Sequence, residues 1–189
     1  VHSCHRIARR GARIFATRIA EPAEASFMTQ IALIVGNTGA GKSTYAARLS
    51  ADTGAHVFTV DEWMATLFQA DMPDPPSYEW ALERTRRIDR QVVAEALRLA
   101  DRGMPVLLDL GFFGREHRDR TRAAIHAGGH DPVIHYLDVD KDTRWRRVAA
   151  RNASRGETFA FEVDRATFDF CETIFEPPDS DELVDAMIV

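Results

Sequence analysis

Short apolar runs, separated by longer amphipathic stretches, set the rhythm of this chain. Residues 31–35 (Ile-Ala-Leu-Ile-Val) contain no polar position, as expected of a strand buried on both faces. Residues 56–60, 105–110 and 132–138 are further runs dominated by apolar residues. Between them, Ile88, Val92, Ala96 and Leu99 recur at helical spacing and predict a long helix over 78–102, stopped by Gly103. Further helices are predicted over 43–50, from about Asp61, over 115–127 and 141–154, and near 162–174. Residues 71–77 hold Pro73, Pro75 and Pro76, which remove donors and fix φ, so this stretch is predicted irregular. A short last strand is expected within 183–189. Strands alternating with helices predict an α/β fold, a parallel sheet with helices on both faces and ligand sites at the carboxyl ends of the strands.

The first strand runs into Gly36, Asn37, Thr38, Gly39, Ala40, Gly41, Lys42 and Ser43, which match G-x-x-x-x-G-K-[ST] at every required position. Glycines let the backbone wrap a phosphate with its N–H groups inward. The Lys42 ammonium then reaches the terminal phosphates, and the Ser43 hydroxyl is a ligand for Mg²⁺. A strand before the loop and a helix after it, starting through Ser43 and Thr44, aim a positive helix N-terminus at the same anion. The pattern narrows the fold to the P-loop NTPase type and predicts ATP and Mg²⁺ as ligands.

Length and composition add bounds. The 189 residues suit one α/β domain with a full core. No apolar run approaches the ~18 residues of a membrane helix. Cys4 and Cys171 stand far apart with no metal-ligand spacing, which predicts free thiols in a reducing, cytoplasmic compartment. Residues 1–27 carry five arginines and two glutamates, net +3 in a chain of net −5, so residues 28–189 carry −8. This stretch is read as a disordered basic leader, or as lying upstream of a true start at Met28, with residues 28–189 as a single domain. An acidic body gives little electrostatic reason for nucleic-acid binding.

Residues just past the first three strands share one crevice in such a sheet. Besides the loop, these are Asp61 and Asp109. Asp61 is placed to orient an acceptor hydroxyl and take its proton during phosphoryl transfer; the alternative is a helix N-cap. Asp109 ends a Val-Leu-Leu run, as the aspartate of the second NTPase signature does, facing either the metal or the substrate. Arg144, Arg147, Arg151 and Arg155 fall within an arc of about 80° on a helix, a stripe of like charge that invites an anion. Arg144 reads as paired to acidic neighbours such as Asp140, Asp142 or Glu157, and Arg151 and Arg155 as part of a mobile lid over about 147–160. Trp63, Tyr78, Trp80, Phe112 and Phe113 are available either to an acceptor pocket or to the core.

Taken in order, the loop, residues 59–64, residues 106–112, the 115–122 segment, His135-Tyr136-Leu137-Asp138, Arg147 to Arg155, and Phe175-Glu176-Pro177-Pro178 followed by Asp181-Glu182 resemble the predicted P-loop kinases of the AAA_33 type. These are related to polynucleotide kinases, zeta toxins and chloramphenicol phosphotransferases. The resemblance spans residues 30–182. It implies a kinase fold with a small helical lid, Asp61 as the base, and phosphate-binding arginines at Arg151 or Arg155. Polynucleotide kinases and zeta toxins carry an arginine three residues after the base, where this chain has Met64. That departure shifts the expected acceptor from a phosphorylated nucleic acid or nucleotide sugar toward a less anionic small molecule. The expected activity is an ATP-dependent phosphotransferase acting on a hydroxyl. The alternatives are a nucleotide-binding switch without an acceptor and a nucleic-acid end kinase.

Overall fold

A computed structural model describes residues 31–75, 77–154 and 162–189. Strands β1 (Ile31–Val35), β2 (His56–Thr59), β3 (Val106–Asp109), β4 (Pro132–Tyr136) and β5 (Met187–Ile188) form one sheet in the order β2-β3-β1-β4-β5. Every pairing is parallel. The helices are α1 (Lys42–Thr53), α2 (Val60–Phe68), α3 (Tyr78–Ala100), α4 (Arg115–Ala127), α5 (Lys141–Ser154) and α6 (Arg165–Ile174). Among the described residues no helix is long and apolar enough to cross a membrane.

The two-residue repeat of a strand explains why the central runs are apolar throughout. From β1, Ile31, Leu33 and Val35 join Ile88 and Val92 of α3 and Ile125 of α4 on one face. The intervening Ala32 and Ile34 meet Ala46 of α1 on the other. Helices thus cover both faces, as the alternation predicts. On the α1 face the Tyr45 hydroxyl lies 2.9 Å from Nδ1 of His135, whose pKa burial pushes down to about 4.

Several predicted boundaries move, three of them with a structural reason. Val60 opens α2 instead of closing β2, and its side chain still reaches the core. Asp71 closes a short 3₁₀ turn, Gln69–Asp71, ahead of the irregular proline segment. The last strand is only Met187–Ile188, because Glu182 is drawn elsewhere. Its carboxylate accepts two hydrogen bonds from the fully buried Arg118, Nε to Oε1 and Nη2 to Oε2, both 2.7 Å. Arg118 Nη1 donates to the Glu176 carbonyl at 2.8 Å, and Glu176 Oε2 accepts the Arg115 N–H at the start of α4, 2.6 Å. The Phe175–Pro178 and Asp181-Glu182 motifs therefore clamp the C-terminal segment onto α4.

This clamp makes a stability prediction. Glu182→Ala strands a guanidinium that has no access to water, and breaking a buried pair from one side costs about 3–5 kcal/mol. Urea unfolding of the variant is expected to show that loss. A difference below about 1 kcal/mol would mean that the pair carries little of the fold.

Candidate active site at the carboxyl edge of the sheet

In the loop between β1 and α1, side chains engage four of the backbone carbonyls. Lys42 Nζ donates to Gly36 O at 2.9 Å and to Asn37 O at 3.5 Å. Arg144 Nη1 donates to Thr38 O at 3.3 Å and Arg147 Nη1 to Ala40 O at 2.9 Å. The N–H groups of Lys42, Ser43 and Thr44 open α1 and have no partner within the helix. An anion is their natural ligand. Gly41 is the N-cap of α1 at φ 95°, a left-handed conformation.

Gly39 is required twice over. Its φ is +81°, and a Cβ there would stand 2.6 Å from the Arg144 carbonyl oxygen and 2.9 Å from Val148 Cγ2. The loop thus leans directly on α5. Gly39→Ala is expected to lower stability by about 1–3 kcal/mol from backbone strain alone, read as a lower Tm together with weaker nucleotide binding. A parental Tm would show that α5 can move aside freely.

Beside the loop, Ser43 Oγ donates to Asp109 Oδ2 at 2.9 Å, and Asp109 is buried at the end of β3. Parallel register sets Thr59 against Asp109, which brings Asp61, two residues further, to the same edge. Burial raises the Asp109 carboxyl above the ordinary aspartate value, opposed by the Lys42 ammonium and the Ser43 hydrogen bond. Asp61 keeps solvent-exposed surface, yet the protein around it displaces water and raises its pKa; the Asp109 charge adds to the rise, while Lys42 and Arg151 pull it down. Desolvation lowers the Lys42 ammonium, with Asp109 and Asp61 as the leading opposing charges. One lysine, two carboxylates, the Ser43 hydroxyl and an arginine of α5 therefore share one electrostatic neighbourhood. The helix-cap alternative for Asp61 does not hold: Thr59 occupies the N-cap of α2, and Asp61 lies in its first turn.

The arginine stripe divides its work. Arg144 does not pair with Asp140 or Asp142, and Glu157 lies outside the described residues; its guanidinium is bidentate to Glu172 of α6, at 2.6 and 2.9 Å. Arg147 holds the loop carbonyl of Ala40. Arg151 keeps Nε and Nη2 buried without a hydrogen-bond partner, so its charge is available to a ligand. Arg155 and the second part of the expected lid, from residue 155 on, lie outside the described residues, as do Cys4 and Met28; Cys171 is a free thiol.

Most of the candidate aromatics belong elsewhere. Phe112 is core, Trp63 packs against Phe58, Phe113 against Phe175, and Trp80 lies beneath the Arg84 guanidinium. Only Tyr78 stays exposed, edge-on to Phe170 of α6. Met64 packs against the core. Glu172 is a site residue that no motif marks. Its one sequence signal is indirect, the arginine stripe of α5. A pocket of about 310 Å³, lined by Asn37, Asp138, Asp140, Arg144, Glu172 and Phe175 among others, opens beside it.

A family model described as an AAA domain, AAA_33, matches residues 31–178. No curated protein matches the sequence. Several solved structures share the fold. A putative kinase from Chloroflexus aurantiacus superposes with a TM-score of 0.66 at 13% identity, covering 86% of this chain and 85% of that one. Kti12 from Chaetomium thermophilum, solved with ADP-AlF3, gives 0.62 at 14% identity, covering 84% and 88%. A gluconokinase from Sinorhizobium meliloti gives 0.56 at 14% identity, covering 86% and 82%.

Proposed function

The chain belongs to the AAA_33 family of AAA domains, and from that premise we propose that it is an ATP-dependent phosphotransferase acting on a hydroxyl of a small molecule. The observation that carries this reading is the convergence of Lys42, Asp61 and the Ser43–Asp109 pair at one strand edge, with Arg151 beside them. The loop N–H groups and Lys42 bind the β- and γ-phosphates. Asp61 accepts the proton of the acceptor hydroxyl as its oxygen bonds to the γ-phosphorus and the bond to the ADP oxygen breaks. Arg151 and Arg155 neutralise charge on the transferring group.

Ser43 and Asp109 would hold Mg²⁺. The fit rests on a buried carboxylate beside a hydroxyl, an all-oxygen donor set suited to a hard cation. Among the described residues no group of three or more His, Cys, Asp or Glu forms a metal cage, in keeping with a magnesium shell completed by phosphate oxygens. When bound, the ion supplies neutralisation of the polyphosphate charge.

Met64, apolar and packed on the core, supports an acceptor without a phosphate at that point. The net charge of −8 on residues 28–189 argues against a nucleic acid. The free Cys171 supports a reducing, cytoplasmic setting. Purified protein with Mg·ATP, screened against pools of alcohols, sugars, antibiotics, nucleosides and oligonucleotides, tests the proposal by ADP release and product mass. A phosphorylated small molecule is expected. ATP binding with no product from any pool would replace the kinase reading with that of a nucleotide switch.

A further inference from the structure

Glu172 touches the phosphate loop from a helix that the loop motif says nothing about. Its Oε1 accepts from Asn37 Nδ2 at 2.5 Å and from Arg144 Nη1 at 2.6 Å, while Oε2 accepts from Arg144 Nη2 at 2.9 Å. Asn37 is buried and turns its Oδ1 onto the Thr38 N–H at 2.7 Å. Arg144 Nη1 takes the Thr38 carbonyl, and Arg144 Nε is fixed on Val139 O at 2.8 Å. Both backbone polar groups of Thr38 are therefore held by side chains that Glu172 itself holds. The Arg144 guanidinium keeps the Glu172 carboxyl below its usual range, so the acceptor stays ionised at neutral pH.

We propose that Glu172 is a positioning residue for the nucleotide site: through Asn37 and Arg144 it fixes the first half of the phosphate loop in its anion-binding shape and ties that shape to α6. The inference rests on the loop being a nucleotide site. Charge-assisted hydrogen bonds are the strong ones, and Glu172 contributes three to a single network. Lys141 and Asp169 make a second ion pair between α5 and α6, at 3.1 Å, with no hydrogen bond to the loop. That pair supplies the control.

Titration of Mg·ADP into the full chain, beside a melting curve for each variant, is the test. Glu172→Gln keeps an acceptor for Arg144 but loses the charge, and Asn37→Ala leaves the Arg144–Glu172 pair and the Arg144 bond to Thr38 O intact while cutting the link through Asn37. Each is expected to weaken Mg·ADP by about tenfold, the scale of one hydrogen bond to a charged group. The double variant is expected to lose less than the product of the two single losses, because both variants disturb the shared Asn37–Glu172 link. Lys141→Ala is expected to cost about twofold at most, since Lys141 reaches Glu172 by charge alone. If Glu172→Gln lowers Tm too far to titrate, Glu172→Asp, which keeps the charge but shortens the reach to Asn37, is titrated in its place and is expected to weaken Mg·ADP likewise. Parental affinity in Asn37→Ala, losses that multiply in the double variant, or an equal loss in Lys141→Ala would overturn the proposal. A parent chain that binds no Mg·ADP would instead remove the nucleotide reading beneath it.

Discussion

Asp61→Asn is expected to slow phosphoryl transfer by about 10²–10⁴-fold, the usual contribution of a general base, while Mg·ATP affinity stays near that of the parent. Asparagine keeps the size and polarity of the side chain at the first turn of α2, and Thr59 remains the cap, so the fold has no reason to change. The pH profile carries a second signature. Asp61 is raised above the ordinary aspartate value, chiefly because the surrounding protein displaces water, a cause that persists when a cation neutralises Asp109. A base works deprotonated, so transfer should fall as pH drops through that raised pKa, above the ~4 of a free aspartate. The acid limb should be missing in the variant. Single-turnover transfer to the identified acceptor, followed across pH, measures both effects. A variant with the parent's rate and acid limb would reduce Asp61 to a first-turn helix residue.

Lys42→Ala is expected to weaken Mg·ATP by at least about 10²-fold, about 2.7 kcal/mol of binding free energy. The ammonium sits among Gly36 O, Asn37 O and the charges of Asp109 and Asp61, and no other cation among the described residues donates to those loop carbonyls. Removing it also leaves the two carboxylates without their nearest opposing charge, which makes the site more hostile to a polyanion. Calorimetry on parent and variant is the check. Equal affinity would show that the triphosphate lies elsewhere.

The parts of this site that can be read in sequence are the local ones. Residues 36–43 form a contiguous pattern, and Asp109 closes an apolar run, so the order of residues alone locates both. Asp61 requires only the order of strands. Residues joined across the fold leave no such local trace. Arg144 has several acidic positions within a few turns, yet it pairs with Glu172, 28 positions later, because α6 packs across α5 at the loop. Strand β2 ends one residue short of its apolar run, at Thr59, since burial of Val60 looks the same in a strand and in the first turn of a helix. Residues 183–185 are turn and not strand because Arg118 sets their geometry: it anchors Glu182, and Leu183 N–H turns back to Asp179 O at 3.0 Å. Charge pairing between distant positions decides the partner of Arg144 and the path of the C-terminal segment alike.

The central claim is that the loop at residues 36–44 binds a nucleoside triphosphate together with a divalent cation. Isothermal titration of ATP into the full chain, with Mg²⁺ and then with the metal chelated, tests it most directly. The account predicts saturable one-to-one binding that tightens when Mg²⁺ is present and is lost in Lys42→Ala. No saturable heat in either condition, or binding indifferent to both Mg²⁺ and Lys42, would contradict it.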